Sequence, residues 1–125
     1  MKWVFEDGIP IYQQIVRFLR VGIANGTYPP GSKLPAVRDL AMEAGVNPNT
    51  MQRALAEMER DGLMYSVRTS GRFITEDEQV MSALRDKLSS EYINEMIRRL
   101  TGLGLTDQEI AEAVGRALAG GSQSE

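Results

Sequence analysis

The chain has 125 residues, of which 42% are hydrophobic and 25% are charged, as expected for one globular domain with a small appendage. It contains no cysteine and no histidine, which excludes disulfide frameworks, zinc sites and Ser-His-Asp or Cys-His catalysis. The net charge of -3 is unevenly distributed: the first 75 residues carry nine basic and seven acidic side chains, and the rest carry five and ten. We therefore expect an N-terminal part that can face an anion and a C-terminal part with another task.

Two helices are predicted in the first 45 residues. Apolar residues at helical spacing indicate a first helix from Ile11 to Asn25. The connector TYPPGSKLP is rich in turn residues, and Pro35 then opens a short second helix from about Ala36 to Glu43. Gly45 makes the link to the following segment a tight turn.

The segment VNPNTMQRALAEMERDGL predicts a third helix that ends near Asp61. Asn47 is a favourable N-cap, and Pro48 suits the first helical position. The residues predicted to face inward are Met51, Leu55 and Met58. The residues predicted to face outward are Asn49, Gln52, Arg53, Ala56, Glu57 and Arg60.

A hairpin and two more helices are predicted after Gly62. In LMYSVRTSGRFI, apolar Leu63, Tyr65, Val67 and Phe73 alternate loosely with polar residues, which is typical of a two-stranded hairpin with a basic tip. A helix of about seven turns begins near residue 76 and ends at TGLG. Thr106 and Glu109 predict a capping box. The last helix is expected to turn inward Ile110, Ala113, Val114, Ala117 and Leu118.

This order of elements predicts a mainly α fold with one small β-hairpin. Two helices joined by a tight turn and followed by a hairpin describe a winged helix-turn-helix. We therefore divide the chain into a DNA-binding domain (1–75), a two-helix dimerisation region (76–119) and a flexible tail (120–125). No stretch is apolar enough to span a membrane, and the N-terminus is unlike a signal peptide, so a cytoplasmic protein is expected.

The polar first turn of the third helix suggests contact with DNA. A recognition helix in the major groove needs short hydrogen-bonding side chains, glutamine or arginine near its N-terminus. Asn and Gln suit adenine, and Arg suits guanine or a phosphate. Arg38, near the start of the second helix, is placed to reach the DNA backbone or a base, and the hairpin tip, Arg68 to Arg72, is placed to lie along or in the minor groove. A merely solvated helix face and protection of a sheet edge are the alternatives for these features.

The segment YPPGSKLPAVRDLAMEAGVNPNTMQRALAEMERDGLMYSVRTSGRFI resembles the DNA-binding domain of GntR-type bacterial transcription regulators, and the resemblance covers about residues 9–75. The matching positions are Gly31, Ser32, Leu34, Pro35, Ala36, Arg38, Leu40, Ala41, Gly45, Val46, Thr50, Ala54, Leu55, Gly62, Leu63, Gly71, Phe73 and Ile74. The short C-terminal part and the VNPNT sequence resemble the YtrA-type branch, which implies that the C-terminal helices form a dimer.

The resemblance and the helix pattern together give the candidate DNA-binding residues: Arg38, Asn47, Pro48, Asn49, Thr50, Gln52, Arg53, Arg68, Thr69, Ser70, Gly71 and Arg72. Four positions depart from the family pattern. Pro48 and Gln52 replace arginines that are frequent in the wider family, and Thr69 replaces a usual wing glycine. Ala36 replaces a usual serine.

The long C-terminal helix carries two apolar rows. The candidate dimer-interface residues are Met81, Leu84, Leu88, Tyr92, Ile93, Met96, Ile97 and Leu100. One row can pack on the last helix, and the other can pack on the same helix of a second chain or, in a monomer, on the winged domain. A two-fold dimer would place two recognition helices on a two-fold operator.

The sequence thus predicts a sequence-specific transcription regulator, a repressor, that binds double-stranded operator DNA as a homodimer. The alternative is a winged-helix module that binds proteins and not DNA, which the acidic overall charge favours slightly. An enzyme is not expected, because no acid-base pair can be isolated in a chain without histidine and cysteine. No cofactor or metal is predicted, and a small-molecule effector at the dimer interface is left open.

Overall fold

Five helices and one β-hairpin make up the part of the chain that the structure, a computed structural model, describes, which is residues 3–121. The elements are α1 (Ile11–Ala24), α2 (Val37–Ala44), α3 (Pro48–Arg60), β1 (Met64–Val67), β2 (Gly71–Ile74), α4 (Glu78–Gly102) and α5 (Asp107–Ala119). The two strands pair antiparallel. The predicted fold class is confirmed, and each predicted helix lies within a few residues of its observed position.

The chain folds into two compact units, one extending to Asp86 and one beginning at Lys87. Helix α4 passes from the first unit into the second. Its first turns belong to the N-terminal unit, where Met81 and Leu84 are buried and Arg85 Nη1 donates to the Ala24 carbonyl over 3.3 Å. The domain boundary between residues 75 and 76 stays a prediction. Residues 122–125 of the predicted tail lie outside the described residues.

The core of the N-terminal unit is built around α3, which packs against α1, α2 and β1. Met51, Leu55 and Met58 are buried, as their spacing predicted. Their largest fully buried partners are Ile15, Leu19, Ile23, Leu40 and Ile74. Burying one such side chain contributes about 1.5–3 kcal/mol, so this cluster fixes the orientation of α3.

Glycines end both α2 and α3. Gly45 has a φ of 74°, and Val46 N–H donates to the Ala41 carbonyl over 2.9 Å. Gly62 has a φ of 79° and is followed by the same bond, from Leu63 N–H to the Met58 carbonyl. Left-handed residues with this bonding close a helix by the Schellman motif, which favours glycine because it has no Cβ. The first turn sets the angle between α2 and α3, and the second directs the chain into the hairpin.

The hairpin, called the wing below, has a third segment on its edge. The residues 31–34 of the connector bond to β2 through Gly31 N–H to the Ile74 carbonyl and Leu34 N–H to the Arg72 carbonyl, both 2.9 Å. This pairing was not predicted, because the connector's prolines and glycine indicated only turns. The expected alternation was also wrong in part: Tyr65 and Val67 are exposed. The side chains that anchor the wing to the core are instead Leu63, Met64 and Ile74.

The C-terminal unit comprises the rest of α4 and helix α5. Thr106 and Glu109 form the predicted capping box, since each side chain accepts from the other residue's backbone N–H. Ile110 is buried, but Leu118 is 75% exposed, so the inward face predicted for α5 was wrong at its last turn. No helix among the described residues is long and apolar enough to cross a membrane.

Candidate nucleic-acid interface

The first turn of α3 has one residue with a clear structural role. Asn47 is the N-cap, and its Oδ1 accepts from Asn49 N–H over 2.7 Å. Pro48 follows at the first helical position. The side chains of Asn49 and Gln52 are exposed, and Thr50 is half-buried. The turn therefore presents amides and a hydroxyl at the positive end of the helix dipole, a suitable place for a negatively charged partner.

Arg53 is stacked on a ring from α1. Its guanidinium carbon lies 3.9 Å from the ring centroid of Tyr12, and the Tyr12 hydroxyl donates to Glu57 Oε1. A cation over an aromatic face at this distance is attracted by about 0.5–1 kcal/mol at a partly exposed site. Arg53 is thus held at the side of α3 that faces α1, while its charge remains accessible to solvent.

Ion pairs between α1 and the end of α3 add to this orientation. Arg20 Nη2 donates to Asp61 Oδ2 over 2.7 Å and to Glu57 Oε2 over 3.4 Å. Because Glu57 also accepts from Tyr12, its carboxylate joins two positions of α1 to one of α3. The recognition helix is therefore fixed on α1 by polar contacts as well as by the core.

The wing is fixed on α3 by a second carboxylate. Arg72 Nε donates to Glu59 Oε1 over 2.7 Å, and Ser66 Oγ donates to Glu59 Oε2 over 2.9 Å. Arg72 Nη1 also donates to Gln52 Oε1 over 3.3 Å. The hydrogen bond from Arg72 lowers the pKa of the Glu59 carboxyl, partial burial opposes this, and the bond from Ser66 lowers the pKa further. We call these four residues (Gln52, Glu59, Ser66 and Arg72) the wing clamp.

The tip of the wing is exposed throughout. Arg68, Thr69 and Ser70 lie between the strands, and Ser70 N–H donates to the Val67 carbonyl over 2.9 Å. Thr69 has a φ of 69° and is the one non-glycine residue of the described chain with a positive φ. Thr69 therefore adopts a left-handed backbone conformation, which costs a residue with a Cβ more than it costs glycine.

Three basic residues near these elements have side chains that form no hydrogen bond or ion pair with any described residue: Lys33, Arg38 and Arg68. Lys33 was missed by the sequence analysis. Its side chain lies along the wing, because a Cβ added at Gly71 would be 3.1 Å from Lys33 Cε. The sequence did not indicate its position, because the connector predicted only turns; in the structure Lys33 is exposed and precedes Leu34, which is buried. Arg38 is exposed in the first turn of α2.

The candidate residues are thus of two kinds. Asn49, Gln52, Arg68 and Ser70 are exposed side chains on the first turns of α3 and on the wing tip. Asn47 and Arg72 are engaged in bonds within the chain, the first as a helix cap and the second in the wing clamp. A tight α2–turn–α3 pair, followed by a hairpin clamped to the same helix, defines a winged helix-turn-helix, a class of DNA-binding fold.

Comparison with known proteins gives the family. The model of "Bacterial regulatory proteins, gntR family" matches residues 11–74, and the chain belongs to this family. It is similar to the uncharacterized HTH-type transcriptional regulator YhcF of Bacillus subtilis, with 38% identity over 94% of this chain and 97% of that protein. It is also similar to the HTH-type transcriptional repressor YtrA of B. subtilis, with 35% identity over 71% of this chain and 73% of that one.

Solved structures agree with this assignment. A GntR family transcriptional regulator from Listeria monocytogenes has a TM-score of 0.82 and 38% identity, over 90% of this chain and 98% of that one. The DNA-binding domain of AraR in complex with operator ORX1 has a TM-score of 0.54 and 26% identity, over 60% of this chain and 96% of that one. The chain is a DNA-binding transcription regulator of the helix-turn-helix type and not an enzyme, as the sequence predicted.

Proposed function

We propose that this regulator is a repressor that binds a two-fold DNA operator as a homodimer. The observation that carries the proposal is the first turn of α3, whose exposed amides lie beside a clamped wing with cations that have no partner among residues 3–121. Helix α3 has 13 residues and is about 20 Å long, which suits insertion of its N-terminal turns into the major groove. Asn49, Thr50 and Gln52 would then face base edges.

The basic residues would supply the contacts that do not depend on sequence. Lys33, Arg38 and Arg68 are exposed, and none of them is paired with another described residue. Phosphate contacts by such residues set the affinity and its salt dependence, whereas base contacts set the specificity. The local charge can therefore attract DNA although the whole chain has a net charge of -3.

The C-terminal unit would form the dimer. Of the candidate interface residues, Met81, Leu84 and Leu88 are only 4%, 6% and 7% exposed, so they are already covered within the chain. A partner would cover the remaining candidates, which we call the second row: Tyr92, Ile93, Met96, Ile97 and Leu100. Among them Tyr92, Ile93 and Ile97 are 49%, 50% and 38% exposed, and Met96 and Leu100 are half-buried. We propose this second row as the interface between two copies.

Repression, as opposed to activation, is supported by the names of relatives. Besides YtrA, the HTH-type transcriptional repressor NagR of B. subtilis is 35% identical over 63% of this chain. A regulator whose functional parts are a DNA-binding unit and a small dimerisation unit can act by excluding other proteins from its operator. The proposal predicts lower expression of a reporter gene when its promoter contains the operator and the protein is present.

A binding experiment tests the proposal. Duplexes are first selected by the full chain from a random 30-base-pair pool, and the enriched duplex and a scrambled one are titrated by fluorescence anisotropy at two salt concentrations. We expect an enriched inverted repeat, two chains per duplex, a preference of about a thousandfold over the scrambled duplex, and weaker binding at the higher salt concentration. Failure to enrich any motif would contradict the proposal, and a motif without a two-fold repeat would contradict the homodimer.

A further inference from the structure

The wing clamp joins a base-reading residue of α3 to the wing. Gln52 and Glu59 are seven residues apart, which places them on the same face of the helix, two turns from each other. Ser66 and Arg72 are direct partners in the hairpin register. Both donate to the Glu59 carboxylate, and Arg72 continues along α3 to the Gln52 amide. One arginine therefore holds the wing and Gln52 in a fixed relation.

Arg72 itself is poorly placed to bind DNA. Its side chain is only 18% exposed, its Nε and Nη1 atoms are engaged, and its charge is balanced by Glu59. A phosphate would have to compete with a carboxylate that is already 2.7 Å from the guanidinium. Arg68, in the same wing, is exposed and has no such partner among the described residues.

The bond to Arg72 also decides which way the Gln52 amide points. A guanidinium can only donate, so the atom of Gln52 that faces Nη1 must be the oxygen. The two N–H groups of Nε2 are then directed away from the clamp. Bidentate recognition of adenine needs the amide oxygen to accept from N6 while Nε2 donates to N7, and here that oxygen already accepts from Arg72. The acceptors of guanine (O6, N7) or thymine (O4) need only the Nε2 donor.

We infer that Arg72 is a positioning residue, which holds the Gln52 amide so that it donates to the acceptor edge of guanine or thymine. This inference rests on the proposed role of α3 in reading base edges. It differs from the sequence-based expectations that Gln52 suits adenine and that Arg72 contacts DNA.

The first experiment compares the base preferences of four variants of the full chain with those of the wild type by selection from the random pool followed by sequencing. The variants are Gln52→Ala, Arg72→Met, the double variant, and Arg68→Met as the matched wing control. Gln52→Ala should reduce the preference for guanine or thymine at one position of each half-site by about threefold to tenfold. Arg72→Met should reduce the preference at the same position, and it should add nothing in the Gln52→Ala background.

Arg68→Met should behave differently, with weaker binding to all sequences and a salt slope smaller by about one. The same uniform loss for Arg72→Met, with base preferences unchanged, would overturn the inference and leave the proposed function intact. If the wild-type chain enriches no motif, the proposed function itself is contradicted, and with it the premise of this inference. Circular dichroism of each variant checks that it is folded.

A second variant tests the amide orientation with Arg72 intact. Gln52→Glu keeps an oxygen for Arg72 but replaces the donor Nε2 with an acceptor. We expect the preference at the affected position to move toward cytosine, whose N4 amino group is a donor in the major groove. An unchanged preference for guanine or thymine would overturn the inference.

Discussion

At the scale of single residues, the basic side chains of the DNA-binding unit differ in what they can do, although they look alike in sequence. Arg72 is bound by Glu59, and Arg53 lies on the Tyr12 ring, whereas Arg38 and Arg68 have no partner among the described residues. Composition and spacing indicated a basic wing tip. They could not show which arginine is neutralised, because Glu59 is 13 positions from Arg72 and meets it only when the hairpin folds back on α3.

We predict that Arg38→Ala weakens operator binding without loss of fold, because it removes an exposed cation that is unpaired within the described part of the chain. Affinity should fall several-fold, and the dependence of log K on log salt should lose about one unit of slope if the contact is to a phosphate. The matched control is Arg60→Ala, an exposed arginine at the far end of α3. Equal affinity of Arg38→Ala and wild type in anisotropy titrations would remove Arg38 from the interface.

Thr69→Gly should stabilise the chain. Left-handed backbone costs a residue with a Cβ about 1–2 kcal/mol, and glycine removes this cost. The greater freedom of glycine in the unfolded chain offsets part of the stabilisation. A net increase of about 0.5–1 kcal/mol in the free energy of unfolding is therefore expected, measured from urea denaturation. Ser70→Gly is the control, since Ser70 has no positive φ, and it should give no gain. A lower urea midpoint of unfolding for Thr69→Gly than for wild type would contradict the claim that the Thr69 backbone is strained.

At the scale of the elements, local signals predicted well and long-range pairing did not. The N-cap Asn47, the capping box of Thr106 and Glu109 and the glycine after α2 depend on neighbours within a few residues, and all are present. The pairing of residues 31–34 with β2 joins segments about 40 residues apart, so no local pattern could reveal it. The wing is consequently a sheet edge closed by the connector, and the Glu59 carboxylate adds a polar attachment to α3 beside the buried side chains of the wing.

That attachment should depend on pH. The folded-state pKa of Glu59 is lowered, so its contribution to stability is complete well above the ordinary pKa of about 4.5. The contribution is lost as the pH falls from that value through the lower folded-state pKa. The free energy of unfolding of wild type should therefore decrease relative to Glu59→Gln between about pH 5 and pH 3. A constant difference between the two proteins over this range in urea denaturation would show that the pair contributes nothing.

At the scale of the whole molecule, the two compact units carry different chemistry. The first brings a polar helix end and cations together on a rigid core, and the second leaves an apolar row of α4 exposed. The acidic character of the second half, evident in the sequence, is consistent with its having a task other than binding DNA. Sequence spacing identified both apolar rows of α4, but only burial distinguishes the row that is covered within the chain from the row that is not.

We predict that Ile97→Glu produces a monomer, because a charge would be placed in the exposed row that we propose as the dimer interface. The variant should sediment as a monomer at about 10 micromolar, and its operator affinity should fall by about a hundredfold or more as the two half-sites are no longer bound together. Asn94→Glu adds the same charge at an exposed polar position of α4 and should stay dimeric. An Ile97→Glu variant that sediments like wild type would place the dimer contact elsewhere.

The bonds between residues 31–34 and β2 have a consequence for protein engineering. A β-hairpin alone is marginally stable, and this one borrows backbone partners from a segment that precedes α2. A hairpin moved from this chain into another regulator would therefore carry its two strands but not residues 31–34, which bond to the edge of β2. Transplanting residues 31–34 together with residues 63–75 should yield a chimera whose amides at Leu34 and Ile74 exchange slowly with solvent. In a chimera that receives residues 63–75 alone, the Ile74 amide should exchange fast, because its acceptor, the Ser32 carbonyl, is not transferred.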